Sequence, residues 1–177
     1  MIRLFVALEI PRKIRERLFL LQGGVPGARW STPERYHLTL RFISEVDEAA
    51  AADIDDVLSS LRAPVFTLEL AGVGKFGSRL PRALWAGVRS SAELSHLQKK
   101  IEAAVQRLGH PAEERKFTPH VTLARLRNAP SEKVMDFVSH NNLFASGAFE
   151  VKSFALFSSL LGSAGAVYNV ERVYPLG

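Results

Sequence analysis

The sequence predicts an α+β fold in which antiparallel strands and helices share one core. Two hydrophobic periods alternate along the 177 residues: apolar residues recur at every second position in some segments, and at every third or fourth in others. Several strand-like segments follow one another without a helix between them, which favours antiparallel pairing. Hydrophobic residues make up 47% and charged residues 23% of the chain, a balance typical of a globular protein with a sizeable core.

The first half of the chain contains two predicted strands and two predicted helices. Residues 2–9 alternate as a strand, and Pro11 then suits the first turn of a helix that ends at Gly23. Residues 36–43 alternate as a second strand. An apolar stripe at helical spacing predicts a second helix over residues 47–62.

The second half begins with two predicted strands separated by a loop rich in glycine and arginine, residues 72–82. A third helix follows, with Ser90 and Glu93 as a predicted capping box and Gly109 at its C-terminal stop. A short fourth helix is predicted over residues 131–139. The strands predicted in this half are residues 65–70, 83–88, 117–126, 148–157 and 166–174.

The two halves resemble each other, because each has a strand with a His-x-Thr-Leu motif followed by a helix. We therefore predict a bilobal fold: two pseudo-symmetric lobes of antiparallel sheet, flanked by helices, around a central cleft. No low-complexity linker divides the chain, so residues 1–177 are predicted to form a single two-lobed domain.

The repeated motif is the strongest functional signal in the sequence. It comprises His37 with Thr39, and His120 with Thr122. With five histidines and five threonines, a threonine two residues after a histidine should occur about 0.14 times by chance. A single His-x-Thr motif usually means only that a strand has a polar face. Two such motifs in one chain, each followed by leucine, indicate a function.

Residues i and i+2 of a strand point to the same face, so each motif presents an imidazole beside a hydroxyl. Two such strands facing one another suit phosphate ester chemistry, since one neutral histidine can accept a proton while a charged one donates. Threonine hydroxyls can hold phosphate oxygens, and Arg125 offers a bidentate partner. Strict alternation places Arg125 on the opposite face, so a bulge or strand end after Leu123 is required.

Other site types find less support. The absence of cysteine excludes disulfides, thiolate zinc sites and a cysteine nucleophile. The two histidines could instead be metal ligands, but no Asp or Glu lies within two residues of either one and no HExxH motif occurs. There is no G-x-S-x-G elbow, and the run GVGKFG does not match a phosphate loop. We expect no metal site, and we assign no catalytic role to His96, His110 or His140.

The charge favours an anionic partner such as nucleic acid. Lysine and arginine exceed aspartate and glutamate by 23 to 18, and the sequence pI is about 9.8. No apolar run is long enough to span a bilayer, and the N-terminus resembles a first strand more than a signal peptide, so we expect a cytoplasmic protein without a membrane partner. Several arginines lie near the two motifs in sequence: Arg29, Arg35, Arg41, Arg115 and Arg125.

These motifs resemble those of the two-histidine phosphoesterase superfamily. Within it, the chain is most similar to the bacterial and archaeal RNA 2′,3′-cyclic phosphodiesterases, also called 2′-5′ RNA ligases. The resemblance spans nearly the whole chain, through the runs RLFVALEIP, ARWSTPERYHLTLRFISEVDE, RALWAGV, RKFTPHVTLARL and FALFSSLLGSAGAVYNVERVYPL.

The resemblance implies hydrolysis of a 2′,3′-cyclic phosphate at an RNA end to a 2′-phosphomonoester, without metal or nucleotide cofactor. It implies that His120 is the proton acceptor that activates water, and that His37 is the proton donor to the departing 3′ oxygen. Thr39, Thr122 and Arg125 are then the phosphate-binding residues.

The resemblance further implies a monomer that acts on RNA ends, with tRNA fragments as candidates. Two alternatives stay open: 2′-5′ RNA ligation by the same site, and a nucleotide- or RNA-binding module without turnover. This sequence has Ser44 where the family often has glycine, which should alter a turn and leave the chemistry untouched. It also has Phe42 where an arginine equivalent to Arg125 would stand.

Overall fold

Nine strands and four helices make up the computed structural model, which describes residues 1–177. The helices are α1 (Arg12–Phe19), α2 (Glu48–Ser59), α3 (Ala92–Arg107) and α4 (Ser131–Asn141). The strands are β1 (Ile2–Glu9), β2 (Ala28–Trp30), β3 (His37–Val46), β4 (Phe66–Phe76), β5 (Ala83–Val88), β6 (His120–Leu126), β7 (Ala145–Val151), β8 (Ser153–Gly162) and β9 (Gly165–Pro175).

The strands form one antiparallel sheet in the order β7-β4-β5-β6-β3-β1-β8-β9, with the short β2 paired to β6. The two motif strands, β3 and β6, lie at its centre and are joined at a single residue pair, Leu38 and Val121. One narrow junction therefore divides the sheet into β7-β4-β5-β6, with β2 beside β6, and β3-β1-β8-β9. The predicted α+β class and the antiparallel sheet are confirmed.

The core lies under the sheet face opposite the motif side chains. Leu38, Leu123 and Ile101 are fully buried there, and α3 packs against β3 while α4 packs against β4. Helix α3 starts where Ser91 Oγ accepts a hydrogen bond from the Leu94 N–H, so the predicted cap at Ser90 is wrong by one residue. None of the helices is both long and apolar enough to cross a membrane.

The predicted loop 72–82 is wrong in its first part, because β4 continues through it to Phe76. Gly72 has a φ of +71° at an irregularity where the pairing shifts between Leu70 and Val73. A glycine within a strand pattern here marks a bulge and not a turn. Gly74 is required because a Cβ would come within 2.4 Å of the Trp85 indole on the paired strand.

Other boundaries also differ from the predictions. The strand predicted from residue 117 begins at His120, since Pro119 before it has no N–H for a strand hydrogen bond. The strand predicted over 148–157 is two strands, because the chain leaves β4 and joins β1 at Lys152. Ser44 lies within β3 and not in a turn, and it keeps the left-handed backbone that glycine favours, with a φ of +79°.

Candidate active site

The two motifs lie side by side on one face of the sheet. Directly paired residues of antiparallel strands share a face, so Leu38 and Val121 point together into the core. The motif side chains therefore share the other face, where all four are partly exposed. Continuing the register by one residue in each direction sets His37 opposite Thr122, and Thr39 opposite His120.

Both imidazole rings are oriented by the main chain in the same way. His37 Nδ1 lies 2.7 Å from the Arg35 carbonyl oxygen, and His120 Nδ1 lies 2.6 Å from the Thr118 carbonyl oxygen. A carbonyl can only accept, so Nδ1–H donates in both rings and Nε2 carries the lone pair of the neutral form. Each histidine can thus gain or release a proton at Nε2.

Aromatic side chains surround His37. Its ring centroid lies 4.9 Å from that of Phe5, 5.1 Å from that of Tyr168 and 6.0 Å from that of Phe157. The pKa of His37 is lowered to about 4, chiefly because burial disfavours the charged ring. The hydrogen bond to the Arg35 carbonyl raises the pKa, and the positive charge of His120 lowers it further.

His120 has a similar but more open setting. Phe76 meets its ring edge-on at 4.8 Å, and Trp85 lies at 6.4 Å. Burial lowers the pKa of His120 below its ordinary value of 6.5, and the hydrogen bond to Thr118 opposes the change. Burial therefore favours the neutral form of both rings in the free protein.

A bulge in β6 turns Arg125 toward the motif face. On the neighbouring strand, Leu84 pairs with Ala124 while Trp85 pairs with Thr122, so Leu123 is an extra residue. Leu123 and Ala124 are consequently both buried, and Arg125 is exposed. The sequence indicated that such a bulge was required, and it occurs at the residue named.

Strand β3 has a bulge at the equivalent position. Val6 pairs with Arg41 while Ala7 pairs with Thr39, so Leu40 is the extra residue. The burial patterns of the two strands match over their first six residues. Phe42 therefore occupies the position in the first half-site that Arg125 occupies in the second.

A cleft of about 620 Å³ opens beside the motifs. Thr39, His120 and Arg125 line it, whereas His37 and Thr122 are not among its lining residues, although they share the same sheet face. The cationic lining residues are Arg41, Arg82, Arg115, Lys116 and Arg125, and Glu113 is the one acidic residue among them. The wall is therefore suited to an anionic ligand.

Two parts of this cleft were not recognised in the sequence. Arg82 and Gly77 come from the segment predicted as a loop, and its glycines and arginines are the only signal of a role. Lys116 comes from the segment before β6, residues 110–119, with only its charge to suggest a role.

Buried Arg41 anchors that segment. Its Nε lies 2.7 Å from Glu102 Oε2, and its Nη2 donates a hydrogen bond to the Pro111 carbonyl. Its Nη1 lies 3.8 Å from Glu113 Oε2. Arg41 thus ties β3, α3 and the segment before His120 together at the floor of the cleft.

No group of three or more His, Cys, Asp or Glu side chains in the structure is arranged to hold a metal ion.

Comparison with known proteins gives a family match. The model of the 2′-5′ RNA ligase superfamily matches residues 14–162. A protein of Archaeoglobus fulgidus named RNA 2′,3′-cyclic phosphodiesterase is 34% identical over 178 residues, which cover 97% of this chain and 99% of that protein. An Aeropyrum pernix protein of the same name is 36% identical over 165 residues, 90% of this chain and 92% of the relative.

The fold is also shared with solved structures. Escherichia coli LigT, in a crystal structure with 3′-AMP, superposes with a TM-score of 0.80 at 26% sequence identity. The superposition covers 99% of this chain and 98% of LigT.

Proposed function

The chain belongs to the 2′-5′ RNA ligase superfamily, and we propose that it is an RNA 2′,3′-cyclic phosphodiesterase that works by two-histidine acid–base catalysis. One observation supports this mechanism most directly: two imidazoles on one sheet face, each with Nδ1 held by a carbonyl and Nε2 free. The names of the relatives favour RNA hydrolysis over ligation and over binding without turnover.

In the proposed reaction, His120 Nε2 accepts a proton from water as the water oxygen bonds to phosphorus. The bond from phosphorus to the 3′ oxygen breaks, and His37 Nε2 delivers a proton to that oxygen. The bond to the 2′ oxygen remains, so the product is a 2′-phosphomonoester. Thr39, Thr122 and Arg125 hold the non-bridging phosphate oxygens, which Arg125 can reach because of the Leu123 bulge.

The donor role of His37 requires a proton on a ring that is neutral in the free protein. The bound substrate favours protonation of His37, because a phosphate anion against Nε2 stabilises the charged imidazolium and raises its pKa. The aromatic surroundings then strengthen that charge interaction by excluding water. We therefore propose that His37 becomes charged with the substrate in place.

The test uses an RNA that ends in a 2′,3′-cyclic phosphate, incubated with the protein in excess chelator. We expect conversion to the 2′-phosphate, separated from the 3′-phosphate isomer by chromatography. The His37→Ala/His120→Ala double variant serves as the control for contaminating nucleases. Absence of product, or formation of the 3′-phosphate, would contradict the proposed function.

We also propose a monomeric, cytoplasmic protein that needs no cofactor and for which tRNA fragments are candidate substrates. The absence of cysteine suits a reducing compartment.

A further inference from the structure

The β8–β9 hairpin folds back over the motif face and reaches His37. Tyr168 lies on β9, three strands from His37 in the sheet order. It pairs with Ser159, which pairs with Arg3 near the start of β1, whereas His37 pairs with Glu9 at the end of β1. A flat sheet would separate Tyr168 from His37 by about 24 Å, at about 4.8 Å per strand and about 3.3 Å per residue. Their ring centroids are 5.1 Å apart, so the hairpin curls over the motif face.

The tip of the hairpin meets the segment that leads into His37. Arg35 Nη2 lies 3.2 Å from the Ala164 carbonyl oxygen and donates a hydrogen bond to it. A Cβ at Gly165 would come within 3.1 Å of the Arg35 guanidinium, so the tip approaches this side chain closely. Arg35 is also the residue whose carbonyl accepts from His37 Nδ1–H. The hairpin is therefore seated beside His37 through its tip as well as through Tyr168.

Tyr168 completes a small apolar cluster on the motif face, separate from the main core. The buried members of this cluster are Phe5, Ala7, Ala155 and Phe157. The Tyr168 ring stands at 87° to the His37 imidazole and at 78° to the Phe5 ring, an edge-on geometry that aromatic pairs favour. Phe5 and Tyr168 thus both pack against the imidazole, in addition to its hydrogen bond.

The other half-site has the same edge-on contact from a strand that does not correspond. Phe76 stands at 86° to the His120 imidazole, with 4.8 Å between the centroids. Phe76 belongs to β4, whose counterpart in the other half of the sheet order is β8, whereas Tyr168 belongs to β9. The repeat of the half-sites therefore does not account for Tyr168. A hydrogen bond at Nδ1 fixes one atom of an imidazole, and a perpendicular ring limits its rotation about that bond.

We propose that Tyr168 is a positioning residue for the proton donor: its ring limits the rotation of the His37 imidazole and so directs Nε2 to the departing 3′ oxygen. This inference rests on the proposed function and adds a residue to it. Tyr168 moves no proton, so its effect acts through His37. The contact is made by the ring, so phenylalanine should replace tyrosine.

The test compares an ordinary cyclic-phosphate RNA with one in which sulfur replaces the bridging 3′ oxygen, because a thiolate departs without a proton. Tyr168→Ala should lower kcat on the ordinary RNA by about tenfold or more, with KM within about twofold of wild type. On the sulfur RNA its kcat should stay within about twofold of wild type. Tyr168→Phe should retain both rates. Val167→Ala, at an exposed neighbour on the same hairpin, is the matched control and should change neither.

Equal losses on both RNAs would mean that Tyr168 does not act through the proton donor. A raised KM with unchanged kcat would make it a substrate-binding residue, and no loss on either RNA would mean that His37 is held without it. Each of these results overturns the positioning role. If the wild-type protein does not hydrolyse the ordinary RNA, the proposed function itself fails, and this role fails with it.

Nuclear magnetic resonance tests the contact without turnover. The imidazole C–H signals of His37, assigned by their loss in His37→Gln, should shift in Tyr168→Ala because the ring current of Tyr168 is removed. They should stay near their wild-type positions in Tyr168→Phe, and the His120 signals should stay in both, which shows that the sheet is folded. If the alanine variant unfolds, Tyr168→Leu takes its place with the same expected shift. Unchanged His37 signals in the variant without the ring overturn the proposal.

Discussion

At the scale of single residues, His37 and His120 have matching motifs in unequal surroundings. Three aromatic rings lie around His37 and two near His120, although both rings donate to a carbonyl two residues upstream. The sequence predicts the pair and the shared face, because a period of two is visible in the residues. It cannot predict the unequal burial, which comes from strands distant in sequence.

The pH dependence of kcat/KM should reflect this burial. The reaction needs one neutral and one charged imidazole, so the rate falls at low pH as the proton acceptor is protonated, and at high pH as the donor loses its proton. Both pKa values in the free protein lie below 6.5. The maximum of the bell-shaped profile of kcat/KM should therefore lie below pH 6.5.

The measurement is the initial rate on a cyclic-phosphate RNA from about pH 4 to pH 9, with circular dichroism to verify folding at each pH. The profile of kcat should be shifted to higher pH, since bound phosphate raises the pKa of the imidazoles. A kcat/KM maximum above pH 7 would show that burial does not set the pKa values of the two catalytic imidazoles.

The division of roles predicts different responses to a better leaving group. His37→Ala and His120→Ala should each lose about a hundredfold or more in kcat on ordinary RNA. When sulfur replaces the bridging 3′ oxygen, the departing thiolate needs no proton, so His37→Ala should recover most of its rate while His120→Ala should not. Recovery by His120→Ala alone would reverse the two assignments.

At the scale of elements, the bulges in β3 and β6 decide which residues reach the cleft. A period-two pattern assigns Phe42 and Arg125 to the core face, and the structure places both on the motif face. The alternation in β6 was sufficient to show that a bulge was required for Arg125. Nothing in the sequence requires a bulge that would turn Phe42 out of the core, because a phenylalanine fits a core position without contradiction.

Arg41 connects these elements, and its removal should be costly. The Arg41 side chain is 7% exposed and that of Glu102 is 17% exposed, so Arg41→Ala leaves a largely buried carboxylate without its ion-pair partner. This substitution should lower the free energy of unfolding by about 3–5 kcal/mol. The control is Arg3→Ala, which breaks a pair to Glu45 with both side chains half exposed. Arg3→Ala should lower the free energy of unfolding by less than about 1 kcal/mol.

Urea denaturation at neutral pH measures both variants. The double variant Arg41→Met/Glu102→Leu should recover much of the loss, since it removes both charges together. If Arg41→Ala costs no more than Arg3→Ala, the ion pair does not hold the segment before β6.

At the scale of the whole molecule, each half of the chain completes the sheet of the other. The series β1-α1-β3-α2 recurs as β5-α3-β6-α4, with β2 as the one added strand. The strand after the first series, β4, pairs with β5 of the second, and β8 returns to pair with β1 of the first. The sequence predicts the two similar halves, but it cannot predict this exchange, because the apolar pattern of a strand does not identify its partner.

This exchange supports the proposal that residues 1–177 form one domain. Neither half can complete its sheet alone, so we expect a single unfolding transition in urea. Far-UV circular dichroism and the fluorescence of the two tryptophans should give the same midpoint and the same slope. Two separated transitions would show that the lobes are independent domains.

Because main-chain carbonyls orient the two imidazoles, the site can tolerate substitutions of the residues that supply those carbonyls during evolution. In many acid–base sites a carboxylate side chain selects the histidine tautomer, and one substitution can abolish it. Here the acceptors belong to the backbone of residues 35 and 118, and every amino acid supplies a carbonyl there. The reactive tautomer is therefore protected from mutation at those positions, and the surrounding sequence is free to diverge as long as the two strands begin at their histidines.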